Sequence, residues 1–143
     1  MKVESRIAKD WQEHHPAKAI RIKVFMEEQG FTQEFDEIDP IAYHAVIFDN
    51  DQPVACGRLY QKEGTTDTYL LGRIAVLKEY RKQHLGAKIL ELLENKIKEL
   101  NGKKAELSAQ ISAVGFYEKS GYHKQGDVYF DEYCQHIKMI KYL

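Results

Sequence analysis

Hydrophobic residues recur at intervals of three and four over residues 85–100, and charged residues fill the positions between them. This spacing places the apolar side chains on one stripe and predicts the longest amphipathic helix of the chain. Asn101 and Gly102, which follow the stripe, are typical of a helix end. The stripe consists of Leu85, Ile89, Leu92, Leu93, Ile97 and Leu100.

Two further segments are predicted to be helical. Over residues 16–29, Pro16 suits the first turn, because its missing N–H would have no helical partner there, and Gly30 suits the end. Over residues 112–120, we expect Ser112 to cap the start and Gly121 to end the helix.

Shorter apolar runs separated by turn residues predict strands. Three of these runs are consecutive and joined by short turns, which indicates an antiparallel meander, and the last two predict a terminal hairpin. The predicted strands are residues 2–8, 43–48, 54–61, 68–76, 104–109, 128–130 and 136–142. The order β-α-β-β-β-α-β-α-β-β predicts a mixed α/β (α+β) chain with one central sheet.

Length and composition restrict the class of protein. The chain has 143 residues, of which 43% are hydrophobic and 30% charged, and its formal net charge is −1. These values predict a single domain, 1–143, and disfavour a general nucleic-acid binder. No apolar run approaches the roughly 18 residues of a membrane helix. There is no signal-peptide core, and the only cysteines are Cys56 and Cys134, so we expect a cytoplasmic protein without a disulfide framework.

Patterns for several other chemistries are weak. Cys134 and His136 lie two residues apart and His14 and His15 are adjacent, but neither pair has a second pair at zinc spacing, so we predict no metal site. A nucleophilic Cys134–His136 pair has no orienting third group. The chain also contains neither a P-loop nor a Rossmann glycine pattern.

The segment with the most chemical content is residues 70–90, where a predicted strand leads through a basic turn into the long helix. The first N–H groups of a helix are unpaired and carry partial positive charge, which attracts phosphate. Gly86 and Ala87 would allow a phosphate to approach the backbone, and Arg81 and Lys82 add full charges. These residues alone fit a diphosphate site and a solvated helix start equally well.

The pattern Arg81-x-x-His84-x-Gly86 resembles motif A of the GNAT superfamily, the Gcn5-related N-acetyltransferases. A glycine is common in that motif where this chain has His84. This departure affects the approach of a phosphate to the backbone at residue 84 but not the whole loop, since a non-glycine residue with an ordinary φ can still offer its N–H.

A second stretch is similar to motif B of the same superfamily, with Gln110 where asparagine is usual. Further similarity to the branch that contains the ElaA and YjcF proteins extends over nearly the whole chain. The matching residues are Gln110, Ala113, Phe116, Tyr117, Lys119, Gly121 and Tyr122 in motif B, and Val24, Phe25, Glu28, Gln29, Gly30, Glu37, Asp39, His44, Glu132, His136, Ile137 and Met139 in the branch.

The resemblance implies a mixed, mostly antiparallel sheet of about six to seven strands flanked by three to four helices, with a splayed strand pair (68–76 and 104–109) that binds CoA. It implies acetyl transfer from acetyl-CoA to an amine by direct transfer in a ternary complex, without a metal. Main-chain groups of Ile74, Ala75 and Val76 would pair with the pantetheine arm and polarise the thioester oxygen. The other expected cofactor-binding residues are Arg81, Lys82, Gln83, His84, Leu85, Gly86, Ala87, Gln110 and Tyr117.

The same resemblance assigns Tyr117 the role of proton donor to the departing thiolate. The general base stays open. An imidazole has a suitable intrinsic pKa, whereas a carboxylate needs burial or a bridging water. The acidic stretch 34–39 is either a solvated loop or an attractor for a cationic amine. The candidate bases are Glu28, Glu37, Asp39, His44 and His136.

Two alternatives to an enzyme are a non-catalytic CoA-binding or acyl-CoA-binding module and an interaction domain of the same fold. The acceptor of an enzyme would be a small amine, an amino sugar, an antibiotic-like amine or a peptide N-terminus. We expect neither nucleic acid nor membrane as a partner. Edge strands at the C-terminal end favour a homodimer.

Overall fold

A computed structural model of the chain describes residues 3–9, 15–32 and 34–143, except for the side chain of His15. The predicted first strand begins at Lys2, which lies outside the described residues. The side chains of His14 and His15, the adjacent histidines considered above for metal binding, lie outside them as well.

The described strands form one seven-stranded sheet in the order β1-β2-β3-β4-β5-β7-β6. Neighbouring strands are antiparallel, except for β4 and β5, which are parallel. This confirms the predicted mixed, mostly antiparallel sheet. The strands are β1 (Val3–Ala8), β2 (Tyr43–Asp49), β3 (Gln52–Gln61), β4 (Thr68–Val76), β5 (Lys104–Gln110), β6 (His123–Asp131) and β7 (Cys134–Tyr142).

Three α-helices lie within the described residues, namely α1 (His15–Arg21), α2 (Leu85–Glu99) and α3 (Val114–Lys119). A π-helical segment, Ile22–Glu28, continues directly from α1. The predicted helix over residues 16–29 is therefore helical throughout but changes its hydrogen-bond pattern halfway, which the apolar spacing does not reveal. Short 3₁₀ turns occupy Asp39–Ile41, Lys78–Tyr80 and Ile111–Ala113.

The apolar stripe of α2 packs on the sheet. Ile89 and Leu93 have no exposed surface. Gly57 on β3 permits this close packing, since a Cβ there would lie 2.7 Å from Ile89 Cγ2 and 3.0 Å from Leu93 Cδ1. At the end of the helix, Asn101 takes the left-handed conformation at φ +65°. At residue 102 only glycine fits, because a Cβ there would collide with Ile97 and the ring of Tyr69.

Two local predictions are corrected. Ser112 does not cap α3, because a 3₁₀ turn intervenes and Ala113 is the N-cap residue, without a side-chain cap. The first strand of the terminal hairpin starts at His123 rather than at Val128. All of its residues are exposed, so it has no alternation of apolar and polar positions that would predict a strand.

Buried charges attach the segment before β2 to the sheet. Arg21, at the end of α1, is 1% exposed. Its Nε lies 2.7 Å from Glu34 Oε2, and its Nη1 lies 2.8 Å from Asp39 Oδ1. Arg58 on β3 donates to the same Asp39 oxygen at 2.7 Å, and its two terminal nitrogens lie 2.7 and 3.0 Å from the carboxylate of Asp36.

We call these groups, together with Arg73 on β4, the charge cluster: Arg21, Arg58, Arg73, Glu34, Asp36 and Asp39. The prediction of a solvated or ligand-attracting acidic stretch is therefore wrong for Glu34 and Asp39, which are buried. Arginines from α1, β3 and β4 neutralise them, and paired charges can be buried where isolated ones cannot.

Burial raises the pKa of Asp39, but hydrogen bonds and charge from Arg21, the backbone N–H of Asp36 and a hydrogen bond from Arg58 outweigh it and lower the pKa to about 2. Asp39→Asn would leave buried arginine charge uncompensated and is expected to reduce the free energy of unfolding by about 3–5 kcal/mol at neutral pH.

Because the pKa of Asp39 is lower in the folded protein, its contribution is fully present above the ordinary aspartate pKa of about 3.9 and is lost as the pH falls towards the folded value. Urea unfolding at pH 7 and at pH 3 measures this, and the difference between wild type and variant should shrink at pH 3. Glu99→Gln is the control, since it breaks the exposed Lys96–Glu99 pair and should cost less than about 1 kcal/mol. An equal loss at both pH values would contradict the assignment.

Candidate active site

Strands β4 and β5 pair only over their first halves. The parallel register runs from Thr68–Lys104 to Leu71–Leu107 and then stops. Beyond this point β4 continues along β3 to Val76, and β5 continues along β7 to Gln110. The two strands therefore splay apart as predicted, and a cleft of about 770 Å³ opens at the splay.

A β-bulge lies in β4 where it leaves β5. Arg58 pairs with Gly72 and Cys56 pairs with Ala75, so that Arg73 and Ile74 together stand opposite one residue of β3. Arg73 has φ +51°, a conformation that favours glycine. The bulge places irregular main chain beside the cleft, which Arg73 and Ile74 both line.

The cleft is bordered by aromatic side chains of the segment after α1 and by polar side chains of β5, β7 and the β6–β7 hairpin. The hairpin closes one side, where Phe31 stacks on Tyr133 at 5.5 Å between centroids and Thr32 Oγ1 donates to Glu132 Oε1 at 2.8 Å. The lining side chains include Phe25, Gln29, Phe31, Glu34, Arg58, Tyr60, Arg73, Ile74, Glu106, Ser108, Gln110, Tyr117, Asp127, Tyr129, Asp131, Glu132, His136 and Lys138.

Tyr117 on α3 lines the cleft. Its ring packs edge-on against Phe116 at 5.0 Å and Tyr122 at 6.0 Å. Burial raises the pKa of Tyr117 to about 12, so its hydroxyl stays protonated at neutral pH. Among the described residues, the hydroxyl has no hydrogen-bond partner and can donate to a bound molecule.

His136 on β7 also lines the cleft and is 6% exposed. Its Nδ1 lies 3.0 Å from the carbonyl oxygen of Cys134. Because a carbonyl only accepts, the neutral ring carries its hydrogen on Nδ1 and leaves a lone pair on Nε2. That atom has no hydrogen-bond partner in the described part of the chain. The ring stacks on Tyr129, whose hydroxyl shares a hydrogen bond with Ser108.

The other four candidate bases do not line the cleft. His44 is 1% exposed, and its Nε2 binds the carbonyl oxygen of Asp39 at 2.9 Å. The carboxylate oxygens of Glu28 each lie 2.7 Å from a terminal nitrogen of Arg81, and this hydrogen bonding lowers the pKa of Glu28 despite some burial. Asp39 belongs to the charge cluster, and Glu37 is exposed in a turn.

The predicted diphosphate loop, residues 81–87, connects the end of β4 to α2 outside the cleft lining. His84 does not have an ordinary φ. His84 has φ +61° and Lys82 has φ +70°, so His84 adopts the left-handed conformation that glycine would take. His84 is the N-cap residue of α2, and the first N–H groups of the helix follow it.

Packing also constrains this loop. A Cβ on Gly86 would lie 3.1 Å from Phe116 Cζ, so the glycine lets α3 approach the start of α2. Arg81 Nε donates to the carbonyl oxygen of Val76 at 3.0 Å and thereby attaches the loop to β4. Ala75 and Val76 do not line the cleft, although Ile74 does.

Gln110 lines the cleft from the end of β5, and its Nε2 lies 2.7 Å from Gln29 Oε1. Arg58 and Arg73 also line it, but the sequence interpretation did not include them. The alternation on β3 contains a usable signal, because Arg58 falls on the same face as Cys56, which is buried. A charged residue on a buried face indicates a buried partner of opposite charge, because an unpaired buried charge is strongly unfavourable.

Within residues 3–9, 15–32 and 34–143, no three His, Cys, Asp or Glu side chains are grouped so that they could hold a metal ion. None of the described helices has the length and apolar character to cross a membrane.

The chain matches a protein family, a relative in sequence and several solved structures. Residues 10–143 match the family model of the acetyltransferase (GNAT) domain. The chain is 34% identical over 138 residues to YjcF of Bacillus subtilis (strain 168), an uncharacterized N-acetyltransferase, covering 94% of this chain and 96% of YjcF.

Among solved structures, Escherichia coli ElaA has the same fold, with a TM-score of 0.86 at 22% identity over 98% of this chain and 99% of ElaA. A GNAT family acetyltransferase of Elizabethkingia anophelis, crystallised with acetyl-CoA bound, has a TM-score of 0.75 at 16% identity over 99% of this chain and 98% of its own.

The two buried histidines are predicted to be opposite tautomers. His44 binds a carbonyl through Nε2 and His136 binds one through Nδ1, so the neutral rings must carry their hydrogens on different nitrogens. In long-range ¹⁵N–¹H correlation spectra above pH 8, Nε2 should show the unprotonated shift in His136 and the protonated shift in His44. The single variants His44→Gln and His136→Gln assign the signals. A protonated Nε2 in neutral His136 would remove it as a proton acceptor towards the cleft.

Proposed function

The chain belongs to the GNAT acetyltransferase family and is an acyltransferase, and we propose that it moves an acetyl group from acetyl-CoA directly to a primary amine in a ternary complex. The observation on which this depends is the splay of β4 from β5 at a cleft that is lined by both Tyr117 and His136. The acetyl-CoA bound to the related Elizabethkingia fold supports the choice of donor.

In this proposal the pantetheine arm lies along β4 beyond Leu71, where β5 no longer pairs, and bonds its main chain like an added strand. A main-chain N–H at or next to Ile74 donates to the thioester oxygen. That bond strengthens as negative charge develops on the oxygen in the tetrahedral intermediate. The diphosphate binds the N–H groups of residues 84–87, at the positive end of α2.

The reaction forms a C–N bond and breaks the C–S bond. His136 Nε2 takes the proton that the attacking amine loses, as a neutral imidazole with a free lone pair can do. The Tyr117 hydroxyl donates a hydrogen bond to the departing sulfur. The pKa of Tyr117, about 12, exceeds the roughly 8.5 of an ordinary thiol, so the hydroxyl keeps its proton and acts as a hydrogen-bond donor. This hydrogen bond is strongest when the sulfur carries full negative charge.

The charge of the cleft supports a cationic acceptor. The six members of the charge cluster offset one another. Glu106 is paired with Lys62 at 3.0 Å. The other charged side chains that line the cleft are three carboxylates and one lysine, so the net charge of this part of the lining is negative. They are Asp127, Asp131, Glu132 and Lys138. A small amine or a peptide N-terminus, protonated in bulk water, would be attracted to the cleft. It releases one proton to solvent there, and the neutral amine then gives a second proton to His136 as the C–N bond forms.

Incubation with acetyl-CoA and a panel of diamines, amino sugars and short peptides tests the function. Free thiol should appear together with an acetylated product detected by mass. CoA alone should raise the melting temperature, because a ligand that binds only the folded state stabilises it. Stabilisation by CoA without thiol release from any acceptor would instead favour a non-catalytic CoA-binding module. Absence of stabilisation would favour an interaction domain.

Tyr117→Phe should lower turnover by about 10²-fold, because it removes a hydrogen-bond donor to the leaving group. The affinity for CoA should change little, since the ring and its packing are kept. Steady-state kinetics and calorimetry with CoA measure the two effects. Tyr142→Phe, which removes the hydroxyl of a tyrosine that is 71% exposed and outside the cleft lining, is the matched control. Unchanged turnover in Tyr117→Phe would exclude Tyr117 from the mechanism.

A further inference from the structure

Arg73 combines an unfavourable backbone with a firmly held side chain. Its φ of +51° is one that glycine adopts freely and a residue with a Cβ does not. A glycine at this position of the bulge would avoid that conflict. The presence of an arginine is therefore best explained by what its guanidinium contacts.

The guanidinium of Arg73 is bound to the charge cluster. Its Nε lies 3.0 Å from Glu34 Oε2 and 3.1 Å from the carbonyl oxygen of Glu34, and its Nη2 lies 3.3 Å from Asp36 Oδ2. These partners are themselves fixed, because Glu34 is 5% exposed and paired with Arg21, and Asp36 is paired with Arg58.

The backbone of Arg73 is held on its other side as well. The thiol of Cys56 on β3 donates to the carbonyl oxygen of Arg73 at 3.6 Å. Burial raises the pKa of this thiol to about 12, so it remains a donor. The bulge is thus fixed between β3 and the cluster. A shift of one residue in its register would turn Ile74 to the opposite face of the sheet.

We propose that Arg73 is a positioning residue for acyl transfer: its guanidinium, anchored on Glu34 and Asp36, keeps the β4 bulge in the register that presents the main-chain N–H beside Ile74 to the thioester oxygen. This inference rests on the proposed function, which places the thioester at β4. It also links the segment that carries Glu34 and Asp36 to the strand that holds the reacting carbonyl.

Two variants separate the backbone from the side chain. Arg73→Gly tolerates the positive φ and removes the guanidinium, whereas Arg73→Lys keeps a positive charge but loses the planar donor fork. Arg6→Lys on the edge strand β1 is the matched control, because Arg6 is exposed and outside the cleft lining. Circular dichroism melting identifies any variant that fails to fold. If Arg73→Gly does not fold, Arg73→Lys alone provides the test.

The readout is the carbonyl stretch of bound acetyl-CoA labelled with ¹³C at the acetyl carbonyl, measured by isotope-edited infrared spectroscopy without an acceptor. The wild type and Arg6→Lys should shift this band below its frequency in free acetyl-CoA. Both Arg73 variants should lose most of the shift while the acetyl-CoA dissociation constant stays nearly unchanged. With any amine that is acetylated, kcat should fall about tenfold or more at little change in KM for acetyl-CoA.

A wild-type shift retained in the folded Arg73 variants would overturn the inference and leave the proposed function intact. Acetyl-CoA affinity lost together with the shift would also overturn it, since Arg73 would then act on binding as a whole. Binding to the wild type without any shift would leave no polarised carbonyl to position and would overturn it too. Absence of acetyl-CoA binding by the wild type would overturn the proposed function itself, and the inference with it.

Discussion

The end of the pairing between β4 and β5 opens the cleft in which we propose that acyl transfer occurs. Each strand keeps a neighbour on its outer side, so the sheet remains continuous while the inner edges separate after Leu71 and Leu107. Main-chain N–H and C=O groups need hydrogen-bond partners wherever they lie, and an open cleft lets water or a substrate supply them. The α2 stripe packs over Gly57 on β3, the strand that stays paired with β4 beyond the splay.

The charge cluster contributes specificity more than stability. Burying the side chains of Arg21, Arg58, Glu34 and Asp39 has a large desolvation cost, and apolar side chains of similar volume often give equal or greater stability. What the ion pairs provide is a defined position, because each arginine comes from a different element and each carboxylate from one short segment. The segment is thereby held against β3 and β4 at the cleft, while its charges offset one another and leave the electrostatics of the cleft to the hairpin at its rim.

The parts of the fold with a hydrophobic period could be predicted, and those fixed by distant partners could not. The stripe over residues 85–100 and the three-strand meander can be recognised from their own residues. In contrast, β6 is exposed throughout and has no alternation of apolar and polar residues. The acidic stretch looked like a solvated loop because its arginine partners lie up to 39 positions away in the chain. His44 and His136 are alike in sequence, being histidines on strands. Only the register that sets His136 opposite Gln110, and the choice of nitrogen that binds a carbonyl, distinguish them.

The two ends of the site differ in rigidity in a way that matches the chemistry proposed for each. Around residues 81–87, the proposed diphosphate loop, the Arg81 and Glu28 side chains of the ion pair are each 38% exposed, and such pairs are screened by solvent and salt and contribute little. At the bulge, Arg73 contacts the buried carboxylate of Glu34 and the partly exposed carboxylate of Asp36. A diphosphate keeps its charge throughout acyl transfer, so binding it contributes equally before and during reaction. The thioester oxygen gains charge only in the transition state, and donors lower that barrier only if they are oriented beforehand. Rigidity therefore has catalytic value at β4 and little at residues 81–87, and Arg73, which is anchored on a buried carboxylate, lies where that value is greatest.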